Sequence, residues 1–540
     1  MLARRHKPVW PERFLIQLPW LGPVMGEPVD ADGDNSLQIG AGANPLLGDA
    51  MAALFLPVRR KGERFERDQG SGWAVPAIDA VDGRFRLLPP LKWWDGQRDG
   101  VLMLLVYDRS YTVPKPIRKR ELPISLRQQL EREPAIKNDP TKPWPIGELP
   151  EPIRVQLEYQ LAHFLQRLPA GDLELGLIEL DRRATPEELT FAVASCQYPA
   201  NFIDRDVAQR SYERLQARLT DAVEHLRPRC LLLVGDQVYI DPTAGFFDPS
   251  TLSDRYDLPY ERLLQTRPLR QVLRRVPLHT MLDDHEIEDN WEPPSGGVDN
   301  LEKGRKYYLA YQRMAWPPPP PPVRLWYRFE ANGFPFFMAD TRTERQPRDA
   351  GCVGTARIMK DDQFTELTSW LSRQDKDMPK FIATPAAFLP RHRRATHGPS
   401  GAGALRSDSW DGYRASFDAL VKHVADNRIQ NVVFLSGDEH ISFATTAVVS
   451  DRSGNAVTRI LSVHSSALYA PFAFANSTQE NLAGDDSFDS GSYRLTVTST
   501  FAAPGDGFAL LRTWRDNGRW HVCCLFDREP PEPEVWIDLA

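Results

Sequence analysis

The sequence lacks several things, and each absence narrows the reading. No apolar stretch approaches the length of a bilayer-spanning helix. There is no even, regularly spaced cysteine framework. The five cysteines are Cys196, Cys230, Cys352, Cys523 and Cys524, and the last two are adjacent and badly placed to bridge each other. That pattern fits a reduced compartment better than an oxidising one, so a cytoplasmic location is expected. An arginine pair, Arg4 and Arg5, stands near the start, but Pro8, Pro11, Glu12, Arg13 and Pro19 break up the residues beyond it. No export-type apolar core exists there. Basic charge is not in excess either: 66 Lys and Arg face 73 Asp and Glu, a formal net charge of −7. With no basic stripe, nucleic acid and anionic membrane surfaces are poor partners.

The chain does have length, with two textures. The 540 residues suffice for about two to four domains. Residues 1–185 carry few catalytic signals. Residues 53–58 and 101–107 read as strands, and Asp95-Gly and Asp99-Gly as turns. Trp93 and Trp94 read as packing residues. Residues 114–152 are rich in proline and charge and read as a connector. Residues 151–168 place Val155, Leu157, Leu161, Phe164, Leu165 and Leu168 at helical spacing. This region is expected to be an accessory domain containing β-strands.

From residue 186 the pattern becomes β-α-β, which implies an α/β fold with a parallel sheet. An apolar strand at 189–196 ends in Ser195 and Cys196. A helical pattern covers 206–226. A second apolar strand at 231–234 ends in Gly235 and Asp236, with Tyr239 three residues on. Open α/β sheets place their ligands at the carboxyl ends of strands. A third strand, 276–282, contains His279, expected to pack or hydrogen-bond. It ends in Asp283-Asp284-His285-Glu286, with Glu288, Asp289 and Asn290 close behind. Like charges so close together destabilise one another unless a cation sits among them. A helix is expected at 303–314, polyproline at 317–322, and a strand at 333–339 that ends in Asp340-Thr341-Arg342. Arg342 suits a phosphate through bidentate bonds, or it neutralises the acids. Residues 390–403 read as a mobile basic loop, and 416–424 as a helix. A strand at 431–436 leads into Gly437-Asp438-Glu439-His440, where an extended chain would point Asp438 and His440 the same way. Further strands are expected at 460–463, 493–498 and 508–514, the last forming a hairpin with 520–526 through Asp516-Asn517-Gly518.

Cys196, Asp236 with Tyr239, the segment from Asp284 to Asn290, and Asp438 with His440 all come after apolar strands. Thiolate, phenolate, carboxylate and imidazole donors together suit more than one cation, including a ferric ion. Asp236 is the natural bridging ligand. A two-metal site favours in-line attack of water on phosphorus, and His285 is the candidate to protonate the leaving oxygen.

Ser-Cys-Gln at 195–197, Gly-Asp-x-x-Tyr at 235–239, Asp-Asp-His-Glu at 283–286 with Asn290, and Asp-x-Arg at 340–342 resemble the PhoD-like (alkaline phosphatase D) metallophosphatases. So do Trp-Asp-Gly-Tyr at 410–413 and Gly-Asp-x-His at 437–440, and the order is the family's. The Asp-x-x-Tyr step also resembles purple acid phosphatases. The resemblance covers roughly residues 186–540 and implies a four-layer αββα sandwich of the calcineurin-like superfamily. It implies a ferric ion with calcium, or with another divalent ion such as zinc, manganese or magnesium. By the same resemblance Cys196, Asp236, Tyr239 and Asp438 or His440 hold metals, with Asp284 and Asn290 as further ligands from the acidic segment. Arg342 contacts phosphate. The implied activity is hydrolysis of phosphoric esters. The competing reading is a metal-binding scaffold without turnover, working through its accessory domain.

Overall fold

The computed structural model of the protein describes residues 188–539, with breaks at 200–203, 242–254, 274–275, 294–297, 314–322, 397–402, 472–477 and 530–534 and at a few single positions. In the first 187 residues it describes the course of eight strands. The chain divides into two compact units. One comprises Met1–Arg182, Leu269–Pro277 and Ala310–Pro317, the other Arg183–Pro268, Leu278–Leu309 and Pro318–Ala540.

In the first unit the strands are β1 (Trp20–Met25), β2 (Gln38–Gly42), β3 (Met51–Lys61), β4 (Arg64–Arg67), β5 (Ala77–Val81), β6 (Arg84–Leu88), β7 (Gly100–Tyr107) and β8 (Leu173–Glu179). They form two four-stranded antiparallel sheets, ordered β1-β2-β6-β5 and β4-β3-β7-β8. The expected strands at 53–58 and 101–107 are the paired centres of β3 and β7. The turns at Asp95 and Asp99, Trp93 and Trp94, the connector, the helix at 151–168 and the proline run lie outside the described residues.

The second unit holds two larger sheets. The first joins β9 (Glu188–Gln197), β10 (Leu231–Val234), β11 (Leu278–Met281), β18 (Ala467–Tyr469), β21 (Asp506–Asp516), β22 (Arg519–Glu529) and β23 (Ile537–Asp538). β9, β10 and β11 run parallel. The second is ordered β12-β13-β14-β15-β17-β16-β20-β19, from β12 (Tyr327–Ala331), β13 (Phe334–Met338), β14 (Lys380–Ala383), β15 (Val432–Ser436), β16 (Phe443–Ser450), β17 (Ala456–His464), β19 (Asp486–Ser490) and β20 (Tyr493–Phe501). Its middle, β13-β14-β15-β17, is parallel. Every residue of β10, β13, β14 and β15 is buried. Parallel strands covered on both faces need continuous apolar sequence, which is why β10, β13 and β15 were legible as short apolar runs. The Thr-rich β16 and the edge strands β12 and β19 are additions to the expected set. β16 buries alternate residues over its second half, as an antiparallel strand with one wet face does.

Alternation within the strands builds the layers. Phe191 of β9 meets Phe336 of β13 edge-on at 5.2 Å and Phe381 of β14 at 4.9 Å, so the two sheets pack face to face there. The next residues out, Phe337 and Ile382, join a core with helices α3 (Asp361–Arg373) and α4 (Arg414–Asp426) on the opposite face. Each fully buried aromatic contributes about 2 kcal/mol of transfer energy. Helix α1 (Arg205–Arg218) is tied to β22 of the other sheet by Arg214 and Arg218, which reach Asp527 at 2.7 and 2.9 Å. Helix α2 (Val298–Tyr311) sits by β11, where the Tyr308 hydroxyl donates to the Thr280 carbonyl at 2.9 Å. His279 stacks on Phe329 at 3.4 Å, as expected of a packing residue. The hairpin through Asn517 and Gly518 has both residues at positive φ, 48° and 78°, the turn that Asp-Asn-Gly announces.

The sheets approach closely at Gly437. A Cβ there would lie 2.2 Å from the Ser195 Cβ. Gly437→Ala is expected to destabilise the protein by about 1–3 kcal/mol, the range for overpacking a filled interior. Thermal unfolding checks this, and an unchanged melting temperature would refute the close approach.

Candidate metal centre

The site lies where the parallel strands of both sheets end. Cys196 is the penultimate residue of β9, and after β10 comes Asp236, after β11 Asp283 and Asp284, and after β15 Asp438. Their turns are unusual. Cys196, Asp236, Asn290, Asp438 and His440 all have positive φ, at 48°, 57°, 53°, 84° and 49°. Such conformations cost a non-glycine residue on the order of 1–3 kcal/mol and persist where surrounding structure enforces them, often at functional sites. Gly235, at φ 106°, opens the Asp236 turn, and a Cβ there would lie 2.6 Å from the Asp283 Cβ.

Asp236, Asp283, Asp284 and Asp438 bring one ligand atom each within 4.8 Å of one another. A second group joins Asp284 to His285 and Asp289. Asp283 Oδ2 and Asp284 Oδ1 are buried with no hydrogen-bond partner. Asp236 receives two long contacts, from the His285 backbone N–H to Oδ1 and from Cys196 Sγ to Oδ2, both 3.4 Å. Burial first, then Asp284, Asp283, Glu286 and Asp438, hold the Asp236 carboxyl pKa well above its ordinary value. Burial, then Asp408, Asp283 and Asp284, do the same to Asp438. Burial also lifts Asp283, to about 7, against the pull of Arg342. Four crowded carboxylates, two of whose oxygens lack a hydrogen bond, one of these having only an ion pair with Arg342 at 3.4 Å, are a poor apolar core and a good cation cage. The donor set therefore fits metal ions.

The other predicted donors border this group. Tyr239 is buried, its hydroxyl 3.3 Å from His440 Nε2 and its ring stacked on His285 at 4.0 Å. Burial, then Cys196 and the acids Asp236, Asp284 and Asp438, raise its pKa. Burial, then Asp236 and Asp438, likewise raise that of the Cys196 thiol. Asp438 and His440 share the site for a different reason from the one expected. The segment is a turn with Asp438 and His440 in the left-handed region, not an extended chain, and it follows Gly437, where a Cβ would meet Ser195. Asn290 stands apart: its backbone N–H caps Asp284 Oδ2 at 2.5 Å, and its exposed side chain donates to Asp289 at 2.9 Å.

His285 is oriented by a residue not anticipated from the sequence. Its Nδ1 lies 2.9 Å from Asp241 Oδ1. Burial opposes its charged form, but Asp284 and the hydrogen bond and charge of Asp241, with Asp289, raise its pKa to about 9. Asp241 falls two residues after Tyr239 and directly after Ile240, a carboxylate closing an apolar step. That was the signal the chain offered. Glu286 is also structural support. Its carboxylate accepts the backbone N–H groups of Asp236 (3.2 Å), Gln237 (2.8 Å) and Asp283 (2.9 Å), clamping the ends of β10 and β11 together.

Arg342 is wholly buried. Nε donates to Asp283 at 2.5 Å, one terminal nitrogen to the Trp291 carbonyl at 3.3 Å, and the other to Asp408 at 3.0 Å, with Asp284 at 3.4 Å. Of the two readings the sequence left open, this arrangement serves the neutralisation of acids.

The basic segment expected to be mobile begins with an anchor. His392 is buried between Asp411 (Nδ1 to Oδ2, 3.1 Å) and Glu439 (Nε2 to Oε1, 2.5 Å). Burial opposes its charge, yet the two acids raise its pKa well above the usual value. The Glu439 backbone N–H donates to His464 Nε2 at 3.3 Å, so the turn carrying Asp438 and His440 is held from behind by two histidines. Residues 397–402 lie outside the described residues. All five cysteines are free, and no helix among the described residues is long and apolar enough to cross a membrane.

Two face-to-face sheets, helices outside them and an acidic ligand group at the strand ends define a metallophosphoesterase-like sandwich. A solved structure titled "Structure of PhoD" has the same fold, with a TM-score of 0.54 at 13% identity over 97% of this chain and 89% of that one. The profile of the PhoD-like phosphatase family matches residues 191–488, and the chain belongs to that family. It is similar to alkaline phosphatase D of Bacillus subtilis (strain 168), 24% identical over 290 residues, 48% of this chain. It spans about half of that relative's length, 47%.

Proposed function

We propose that the protein is a metal-dependent phosphoric ester hydrolase, with residues 186–540 as its catalytic domain and residues 1–185 as an accessory one. The observation that carries this is the buried group Asp236, Asp283, Asp284 and Asp438, with carboxylate oxygens of Asp283 and Asp284 that accept no hydrogen bond. Asp236, Asp284 and Asp438, with Cys196, Tyr239 and His440 at the border, would hold a ferric ion and calcium or another divalent ion. Asn290 would join them only after its amide turns away from Asp289. Bound cations supply charge stabilisation of the phosphoryl oxygens and acidify the attacking water. Asp241 holds the His285 ring through Nδ1, so that Nε2, 3.8 Å from Asp289, is the nitrogen placed to donate a proton to the leaving oxygen. Glu286 and the His392 pair keep the ligand-bearing turns in place.

The test is hydrolysis of phosphate monoesters and diesters by the purified protein, with elemental analysis of the same sample. Metal-dependent turnover is expected. A protein that binds metals stoichiometrically but turns over neither ester class would shift the reading to a silent scaffold. A visible charge-transfer band that vanishes in Tyr239→Phe is expected if the phenolate binds ferric iron. A band that survives the substitution would remove Tyr239 from the ligand set.

A further inference from the structure

The Asp340 turn presents two arginines, and they are not alike. Asp340 Oδ1 accepts the backbone N–H groups of Arg342 (3.2 Å) and Thr343 (2.8 Å), which curls the chain after β13 and sets Arg342 and Arg345 three residues apart. Arg342 has every nitrogen engaged, three of its four contacts being with carboxylates. Releasing it would uncover Asp283, Asp284 and Asp408 together. Arg345 is only 3% exposed, and its Nε donates to the Thr341 carbonyl at 2.9 Å. Both its terminal nitrogens are buried without a hydrogen-bond partner. The carboxylate oxygen paired with it, Asp408 Oδ2, is 4.0 Å away and is already bound by Arg342. Tyr413 covers the guanidinium, 5.4 Å from its ring centroid.

A guanidinium anchored through Nε alone keeps its outer edge, two parallel N–H groups, for a planar or tetrahedral oxyanion. Leaving buried charged donors unmatched is expensive, so a site that does so is arranged for a ligand that brings the acceptors. Arg345 shares Asp408 with Arg342, which itself touches two of the four clustered acids, so it borders the metal centre. Its charge acts on Asp283 as well, where burial raises the carboxyl pKa and Arg342, then Arg345, oppose the rise.

We propose that Arg345, and not Arg342, is the residue that binds the non-bridging oxygens of the phosphoryl group, Arg342 being the internal counter-ion of the acids. This rests on the phosphoric-ester reading of the same site. The experiment compares the metal-loaded wild type with Arg345→Gln and Arg345→Lys. Binding of inorganic phosphate is measured by calorimetry, together with metal content and the melting temperature without phosphate. Arg345→Gln should weaken phosphate binding by about 10- to 100-fold, the effect of losing charge-assisted hydrogen bonds. Arg345→Lys should restore only part of it, since an ammonium lacks the fork. Metal content should be unchanged. Without phosphate the melting temperature should stay level or rise, because an unmatched buried charge has been removed. Phosphate affinity within twofold of wild type in Arg345→Gln would overturn the proposal. So would a melting temperature several degrees lower, which would mark Arg345 as structural. Phosphate binding does not require turnover, so a wild type that hydrolyses no ester sinks the functional reading separately.

Discussion

Asp236→Ala is expected to abolish activity and to release metal, with a fall in rate of about 10³-fold or more as the several kcal/mol supplied by the metal centre are lost. Asp236 touches both neighbouring strand ends, through Cys196 on β9 and the His285 backbone after β11. The expected effect on stability runs the other way. In the metal-free protein Asp236 is crowded by three other acids, and its raised pKa means that the folded state holds the proton more tightly than the unfolded chain does. A group of that kind stabilises fully below its unfolded pKa and loses the contribution as pH rises through the folded one. For Asp283 the window runs from 3.8 to about 7. Metal-free wild type should therefore lose stability across that range, and Asp236→Asn should lose less. Elemental analysis, rate measurement and thermal unfolding at several pH values check the set. Full metal content with activity near wild type in Asp236→Ala would disprove its place in the ligand set.

His285→Ala is expected to keep the metals of the Asp236 group and to lose rate according to the leaving group. General acid catalysis contributes about 10²–10⁴-fold. Alkyl esters, whose leaving oxygen needs the proton, should show the upper end, and aryl esters with acidic leaving groups much less. Asp241 holds the imidazole at 2.9 Å, an arrangement that orients a proton donor and a metal ligand equally well, so the variant decides between them. His285 also lies in the group with Asp284 and Asp289. Loss of one metal equivalent in His285→Ala, with the same rate deficit for all leaving groups, would make it a ligand and defeat the acid assignment.

The legible part of this site is the part that chain order can carry. Cys196, Asp236, Asp284 and Asp438 each come after a short apolar run, and a parallel strand buried on both faces has to be apolar throughout. The strand ends could therefore be read one by one. Asp241 follows only the brief apolar step of Ile240, and Asp408 and Arg345 carry no such mark. Each sits in an irregular segment. For two of them the importance comes from a partner far along the chain: His285 for Asp241, and Arg342 for Asp408, 66 residues away. His392 was legible only as part of a basic stretch, because Asp411 and Glu439, which bury it, are 19 and 47 residues distant.

Arg342 and the Asp438–His440 pair show the same division. The sequence could say that a guanidinium stands beside acids, but not which of its nitrogens are spoken for. Three-dimensional packing decided that, by placing Asp283, Asp284, Asp408 and the Trp291 carbonyl around it. The sequence could likewise pair Asp438 with His440, but it implied an extended segment. The structure has a turn instead, with Asp438 and His440 both at positive φ, directly after a glycine packed where the two sheets leave no room for a Cβ. By itself, then, the sequence determined the parallel α/β core, the strand ends and the donor types, because burial and chirality act locally along the chain. The tertiary structure alone decided which donors are satisfied and which are left open, because a buried charge is matched by whatever packing brings to it.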